Sequence, residues 1–111
     1  MEGGVIGRID DVLIIRGVNV YPSAIENIVR GFPEVGEFAV DVYRQGMLDE
    51  MAIRLEVNGA EPDALAPAVV KAIRNALGLR VTVKPVPHGK LPRFDLKARR
   101  FTDHRRFNNG A

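Results

Sequence analysis

Two alternating apolar segments separated by a turn constrain this 111-residue chain more than any other feature. Phe38, Val40 and Val42 recur at every second position within residues 35–44, and Ile53, Leu55 and Val57 do the same within 51–57. Successive side chains of a strand point to opposite faces, so each segment presents one apolar face. Gln45-Gly46 and Asp49-Glu50 interrupt the pattern between them, and Asn58-Gly59 closes it. The pair predicts an antiparallel hairpin whose apolar face must be covered by another layer.

Helical periodicity supplies that layer. Ile25, Ile28, Val29 and Phe32 fall at helical spacing, and Gly31 with Pro33 ends the run. Ser23 and Glu26 have the spacing of a capping box, which predicts a helix beginning at Ser23 after Pro22. A second helix is predicted over 63–77, with Leu65, Val69, Val70, Ile73 and Leu77 in its stripe and Gly78 as its stop. Pro67 is expected in its first turn, where a missing N–H costs little. Residues 80–86 alternate through Val81 and Val83 as a third strand. Residues 12–20 read as two short strands around Gly17, which takes positive φ without steric penalty. The expected fold is α+β: an amino-terminal β-hairpin, then a three-stranded antiparallel sheet with two helices packed on one face. One domain over 1–111 suits the length.

Composition excludes several kinds of chemistry. With no cysteine there is no disulfide framework, thiol nucleophile or cysteine-based zinc site. His88 and His104 stand far apart without clustered carboxylates, so no metal site is expected. No apolar stretch approaches the ~18 residues of a membrane span, and Met1-Glu2-Gly3-Gly4 lacks the basic and apolar blocks of a signal peptide. A soluble cytoplasmic protein is the expectation. Aromatics at 6% provide no stacking platform, which argues against nucleic acid. The net charge of +2 is unevenly spread: from His88 onward Lys90, Arg93, Lys97, Arg99, Arg100, Arg105 and Arg106 face only Asp95 and Asp103. That end suits an anionic partner, and residues 104–111 have the composition of a solvated basic tail.

Three segments carry residues unusual for their context: Gly7-Arg8-Ile9-Asp10-Asp11, Arg16-Gly17-Val18-Asn19, and Gly89-Lys90-Leu91-Pro92-Arg93-Phe94-Asp95-Leu96-Lys97. Singly, each has a plain structural explanation as a turn, a hairpin tip or a solvated cation. Together they do not. The run from Gly7 through Arg16-Gly17-Val18-Asn19-Val20-Tyr21-Pro22-Ser23 to Ile25-Glu26 resembles the opening of the carboxy-terminal domain of adenylate-forming ligases, in the phenylacetate–CoA ligase branch. Leu91-Pro92-Arg93-Phe94 with Lys97-Ala98 resembles the end of the same domain, and the likeness covers about residues 7–103 in order.

The resemblance implies a two-step reaction, in which a carboxylate and ATP give an acyl adenylate and coenzyme A then displaces AMP. It implies a mobile lid that serves a large amino-terminal nucleotide-binding domain, with Mg²⁺ arriving on ATP and a small-molecule acid as substrate. By matching position it makes Lys97 the adenylation lysine, Asp10 the hinge and Arg8 a nucleotide contact. Gly17 and Asn19 then border the pantetheine tunnel. Leu96 departs from the glycine that many relatives place before this lysine, and Lys90 is the other lysine of the loop. Two readings from other classes stand beside it: a free-standing module binding a nucleotide or protein, and a regulatory domain that forms a homodimer through its exposed sheet face.

Overall fold

The hairpin at the start of the chain is set by its turn. The computed structural model describes residues 4–5, 10–59, 61–93 and 97–105, with backbone alone at 4–5, 62, 97 and 98. After strand β1 (Gly4–Val5), β2 (Leu13–Ile15) folds back antiparallel onto β3 (Val18–Val20), placing Leu13 opposite Val20 and Ile15 opposite Val18. The two turn residues, Arg16 and Gly17, both have positive φ, 52° and 78°. Paired left-handed residues make the type of two-residue turn that matches the right-handed twist of its strands.

Helix α1 (Pro22–Arg30) begins one residue earlier than predicted. Its N-cap is Tyr21, which makes no side-chain cap bond, and Pro22 occupies the first turn, where its missing N–H costs nothing. The capping box does not form. Glu26 is buried instead, with Arg30 at 3.5 Å and Arg100 at 3.3 Å. A buried carboxylate gains more from guanidinium partners than from one neutral backbone donor.

Strands β4 (Val35–Gln45) and β5 (Leu48–Val57) form the predicted hairpin, pairing Phe38 with Leu55, Val40 with Ile53 and Val42 with Met51. All six side chains are buried. Helix α2 (Pro62–Leu77) ends as expected on Gly78, left-handed at φ 69°, with the Gly78 N–H bonded to the Arg74 carbonyl. Because Pro62 already fills its first turn, Pro67 lies deeper in the helix than predicted. Pro67 and Asp63 are both exposed, so the carbonyl of Asp63 that loses its helical donor is open to water.

The sheet is where the structure departs most from the expectation. Strand β6 (Thr82–Val86) runs parallel to β5, with Ile53 beside Val83, because the intervening helix carries the chain back to the starting end. A strand absent from the prediction, β7 (Phe101–Asp103), lies parallel to β4 and antiparallel to β1. The sheet is therefore five-stranded and mixed, in the order β1-β7-β4-β5-β6, rather than three-stranded and antiparallel. Pro85 is tolerated because β6 is an edge strand.

One apolar core joins every layer. Phe38, Val40, Ile53 and Leu55 of the sheet meet Ile25 and Val29 of α1, Val69 and Ile73 of α2, and Ile15 and Val20 of the hairpin. The fold class is α+β as expected, with both helices contributing to the core on that sheet face. Of the stretch expected to be a solvated tail, His104 lies 2.9 Å from Asp41 and Arg105 is buried, donating to Asp103 and to the Ile14 carbonyl. Residues 106–111 lie outside the described residues. No described helix is long and apolar enough to cross a membrane.

Candidate functional site

Gly17 stands at the exposed tip of the β2–β3 hairpin, and a Cβ built on it would meet no atom within 4 Å. Arg16 beside it is not a residue that adopts positive φ freely. Three hydrogen bonds hold it there: its N–H to Asp49 Oδ2 at 3.4 Å, its Nε to the Asp49 carbonyl at 2.8 Å, and its Nη2 to Glu50 Oε2 at 2.6 Å. The tip is thereby fixed to the first residues of β5. Asp49 also receives Arg44 at 3.0 Å and faces Arg105 at 3.3 Å. Burial pushes the Asp49 carboxyl up, but the Arg44 and Arg16 hydrogen bonds and the Arg105 charge outweigh it and leave the pKa below the usual value.

Asn19 is exposed on β3, directly across from Ile14. Ile14 and Val12 are exposed apolar residues on the same hairpin, at 55% and 44%. Asp10 is exposed in the turn that precedes β2, a position free of core packing. Arg8, expected near the nucleotide, lies outside the described residues. Lys97 opens a short 3₁₀ turn, Lys97–Arg100, that leads directly into β7; its side chain is outside the description. Lys90 is exposed, with its backbone N–H bonded to the Pro87 carbonyl.

Three buried carboxylates, Glu26, Glu37 and Glu56, were not among the predicted site residues. Glu56 is wholly buried, one residue past Leu55 and turned to the other side of the strand. Its Oε2 accepts the Leu91 N–H at 2.9 Å and Arg93 Nη1 at 2.7 Å, while Oε1 faces His88 Nδ1 at 3.7 Å. Glu37 accepts Arg100 Nε at 2.5 Å, and Glu26 accepts Arg100 Nη1 at 3.3 Å. Arg30 and Arg100 each lie over the Phe38 ring, at 5.2 and 5.1 Å from its centroid. Glu56 occupies a polar position in the alternation of 51–57, so the pattern alone does not mark it as buried.

The Arg93 hydrogen bond, aided by backbone N–H groups of Leu91, Gly89 and Glu37 and opposed by burial, holds the Glu56 carboxyl at about 2, below its ordinary 4.5. A carboxylate depressed on folding stabilises the fold fully above its unfolded value, and that contribution fades as pH falls from 4.5 toward 2. Thermal melts followed by circular dichroism should show the midpoint falling across that window, with a flatter slope in Glu56→Gln. An unchanged slope in the variant would contradict the assignment. Among the described residues no cluster of His, Asp and Glu is placed to hold a metal ion.

Residues 17–105 match the AMP-binding enzyme C-terminal domain family. The chain is 34% identical to the phenylacetate-coenzyme A ligase of Thermus thermophilus over 94% of its own length and 28% of that protein's. It spans about a quarter of the length of the curated relatives it matches. A domain of phenylacetate-coenzyme A ligase from Bacteroides vulgatus superposes with a TM-score of 0.78 at 28% identity, covering 90% of this chain and 98% of that one. A 2-hydroxyisobutyryl-CoA ligase, solved with 2-HIB-AMP and CoA in the thioesterification state, also superposes at 0.78, with 31% identity over 90% of this chain and 22% of its own. With this mixed sheet and hairpin tip, the chain belongs to the AMP-binding enzyme C-terminal domain family, with phenylacetate-coenzyme A ligases among its relatives.

Proposed function

We propose that this chain is the mobile carboxy-terminal lid of an ATP-dependent aryl- or acyl-CoA ligase, working with a larger amino-terminal nucleotide-binding domain in the cytoplasm. The single observation that carries this is the hairpin tip: Gly17 projects clear of the domain while Arg16 pins the turn beneath it. A rigid, side-chain-free tip suits the wall of a narrow passage for a long thin substrate arm, here pantetheine, with Asn19 beside it.

The acid's carboxylate oxygen attacks the α-phosphorus of ATP, and the bond to pyrophosphate breaks. The CoA sulfur then attacks the acyl carbon, loses its proton, and AMP leaves with the bonding pair. Mg²⁺ enters with ATP. Lys97 serves the first step, since an ammonium on a long stem offsets the repulsion between carboxylate and phosphate. Arg8 contacts the nucleotide, and Asp10, outside any packed element, absorbs the backbone rotation between the two steps.

Two measurements test this in the ligase that carries the chain. Acid-dependent exchange of pyrophosphate into ATP, followed by AMP and thioester formation with CoA, is the expected activity; no exchange with any aryl or medium-chain acid would overturn it. Gly17→Asn keeps a residue that tolerates positive φ yet adds a side chain. It should cut thioester formation by about tenfold or more while adenylation is spared. Equal rates in both steps would remove Gly17 from the tunnel.

A further inference from the structure

We propose that Arg105, held by Asp103 and facing Asp49, is a positioning residue that sets the β2–β3 hairpin tip for the thioester step. The inference rests on the lid reading above and names residues that reading does not use. Among the described strands, β2 and β3 form a sheet of their own, with no backbone pairing to the five-stranded sheet. Leu13, Ile15 and Val20 bury the inner face of the hairpin in the core, and apolar contact of that kind has no preferred direction. Direction comes from the side chains that bridge the two sheets. Arg105 Nη1 donates to the Ile14 carbonyl at 2.6 Å and lies 3.3 Å from Asp49 Oδ2. The same Asp49 oxygen accepts the Arg16 N–H at 3.4 Å, while Arg44 occupies the other oxygen at 3.0 Å. One guanidinium thus reaches the hairpin twice, directly on β2 and through Asp49 at the tip.

The guanidinium is itself fixed from behind. Asp103 receives it as a fork, Nε on Oδ1 at 3.0 Å and Nη2 on Oδ2 at 2.9 Å, and Oδ1 also takes the Arg105 N–H at 3.0 Å. Two parallel bonds to one carboxylate set the plane of the group and so the direction of Nη1. Asp103 stands in β7 beside Val42, and the next residue, His104, donates its N–H to the Val42 carbonyl at 2.6 Å. The aim of Nη1 is therefore referred to β4, the middle strand of the sheet. Stability alone is a poor reason for such an arrangement. The Arg105 side chain is only 4% exposed, and burying a guanidinium with carboxylates costs desolvation that the pairing barely recovers. Apolar side chains of similar volume often serve as well, but they do not fix a direction. A misplacement of about 1 Å at a site that orients substrate loses up to about 10²-fold in rate. Arg105 acts through the tip and is not itself a catalytic residue.

The experiment measures single-turnover rates of both half-reactions in the intact ligase for Arg105→Lys, Asp103→Asn and Gly17→Asn. Lysine at 105 keeps the charge and loses the fork. Arg105→Lys should slow thioester formation from preformed adenylate by about 10–100-fold at saturating CoA and leave adenylation within about twofold. Amide exchange should quicken in the peptide covering residues 13–20 and stay unchanged over 51–57, a split that a general loss of stability would not give. Asp103→Asn leaves Arg105 in place but weakens the fork that aims it. It should slow the same half-reaction alone, by a smaller factor, and carries the test if Arg105→Lys fails to fold. A normal thioester rate in the folded variant, or a parallel fall of both half-reactions, would overturn the positioning role. Gly17→Asn reports on the lid reading separately: normal thioester formation there would remove the tip from the tunnel, and this proposal with it, before any Arg105 variant is compared.

Discussion

Alanine at Lys97 in the ligase should slow adenylate formation by about 10²–10³-fold, roughly 3–4 kcal/mol of transition-state stabilisation. Thioester formation from preformed adenylate should barely change. The asymmetry follows from where charge develops. In the first step a carboxylate approaches a phosphate, and a positioned ammonium stabilises the transition state more than the separated reactants. In the second step a thiol attacks a carbonyl whose activating AMP is already attached, and the proposed lid presents its hairpin rather than its 3₁₀ turn. Arginine at 97 should restore little, since a planar guanidinium does not replace a compact point charge. Rapid-quench measurement of each half-reaction decides the matter. Equal loss in both would remove Lys97 from its role.

The second large effect is on stability. Phe38 is fully buried, meets Phe101 edge to face at 6.3 Å between centroids and 88° between planes, and carries Arg30 and Arg100 over its ring. Phe38→Ala should destabilise the domain by about 3–5 kcal/mol, through lost burial plus the cavity left behind. That is a large share of the ~5–15 kcal/mol that holds such a domain together. Urea unfolding with an unchanged m-value would report it, and Phe38→Leu should recover most of the loss. A cost below about 1 kcal/mol would mean that the surrounding side chains collapse into the space. Because Phe38 joins β4, β7 and the guanidinium of Arg100, its removal should also loosen the turn that begins at Lys97.

The parts of the fold legible in sequence are those decided by near neighbours. The β4–β5 hairpin follows from alternation and a turn, and the end of α2 from Gly78 alone. The hairpin tip was legible for the same reason, since Gly17 sits between two β-branched runs. Distant partners account for what was not. Ser23 and Glu26 match a capping box by spacing, yet Arg100, far along the chain, claims the carboxylate. The direction of β6 depends on where a helix delivers it, and β7 has only three residues within a basic stretch. The buried carboxylates at Glu37 and Glu56 look like ordinary strand polar residues until Arg93 and Arg100 fold over them. Of the candidate site, the tip and the exposed turn at Asp10 were readable, whereas the buried pairing of Glu56 with Arg93 was not.

The position of β7 has a consequence for how the molecule assembles. Residues 101–103 fill the gap between β4 and β1, so β4 keeps one bare, hydrogen-bonding edge until they arrive. On a ribosome the hairpin and both helices emerge first, and a partly built sheet with an open apolar flank waits for Phe101. Such edges recruit other chains. Closing contacts this distant in sequence is also slow, because the entropy of a long loop is lost before any pairing is gained. β1 must then join after β7, since among the described strands β7 is its one neighbour in the sheet.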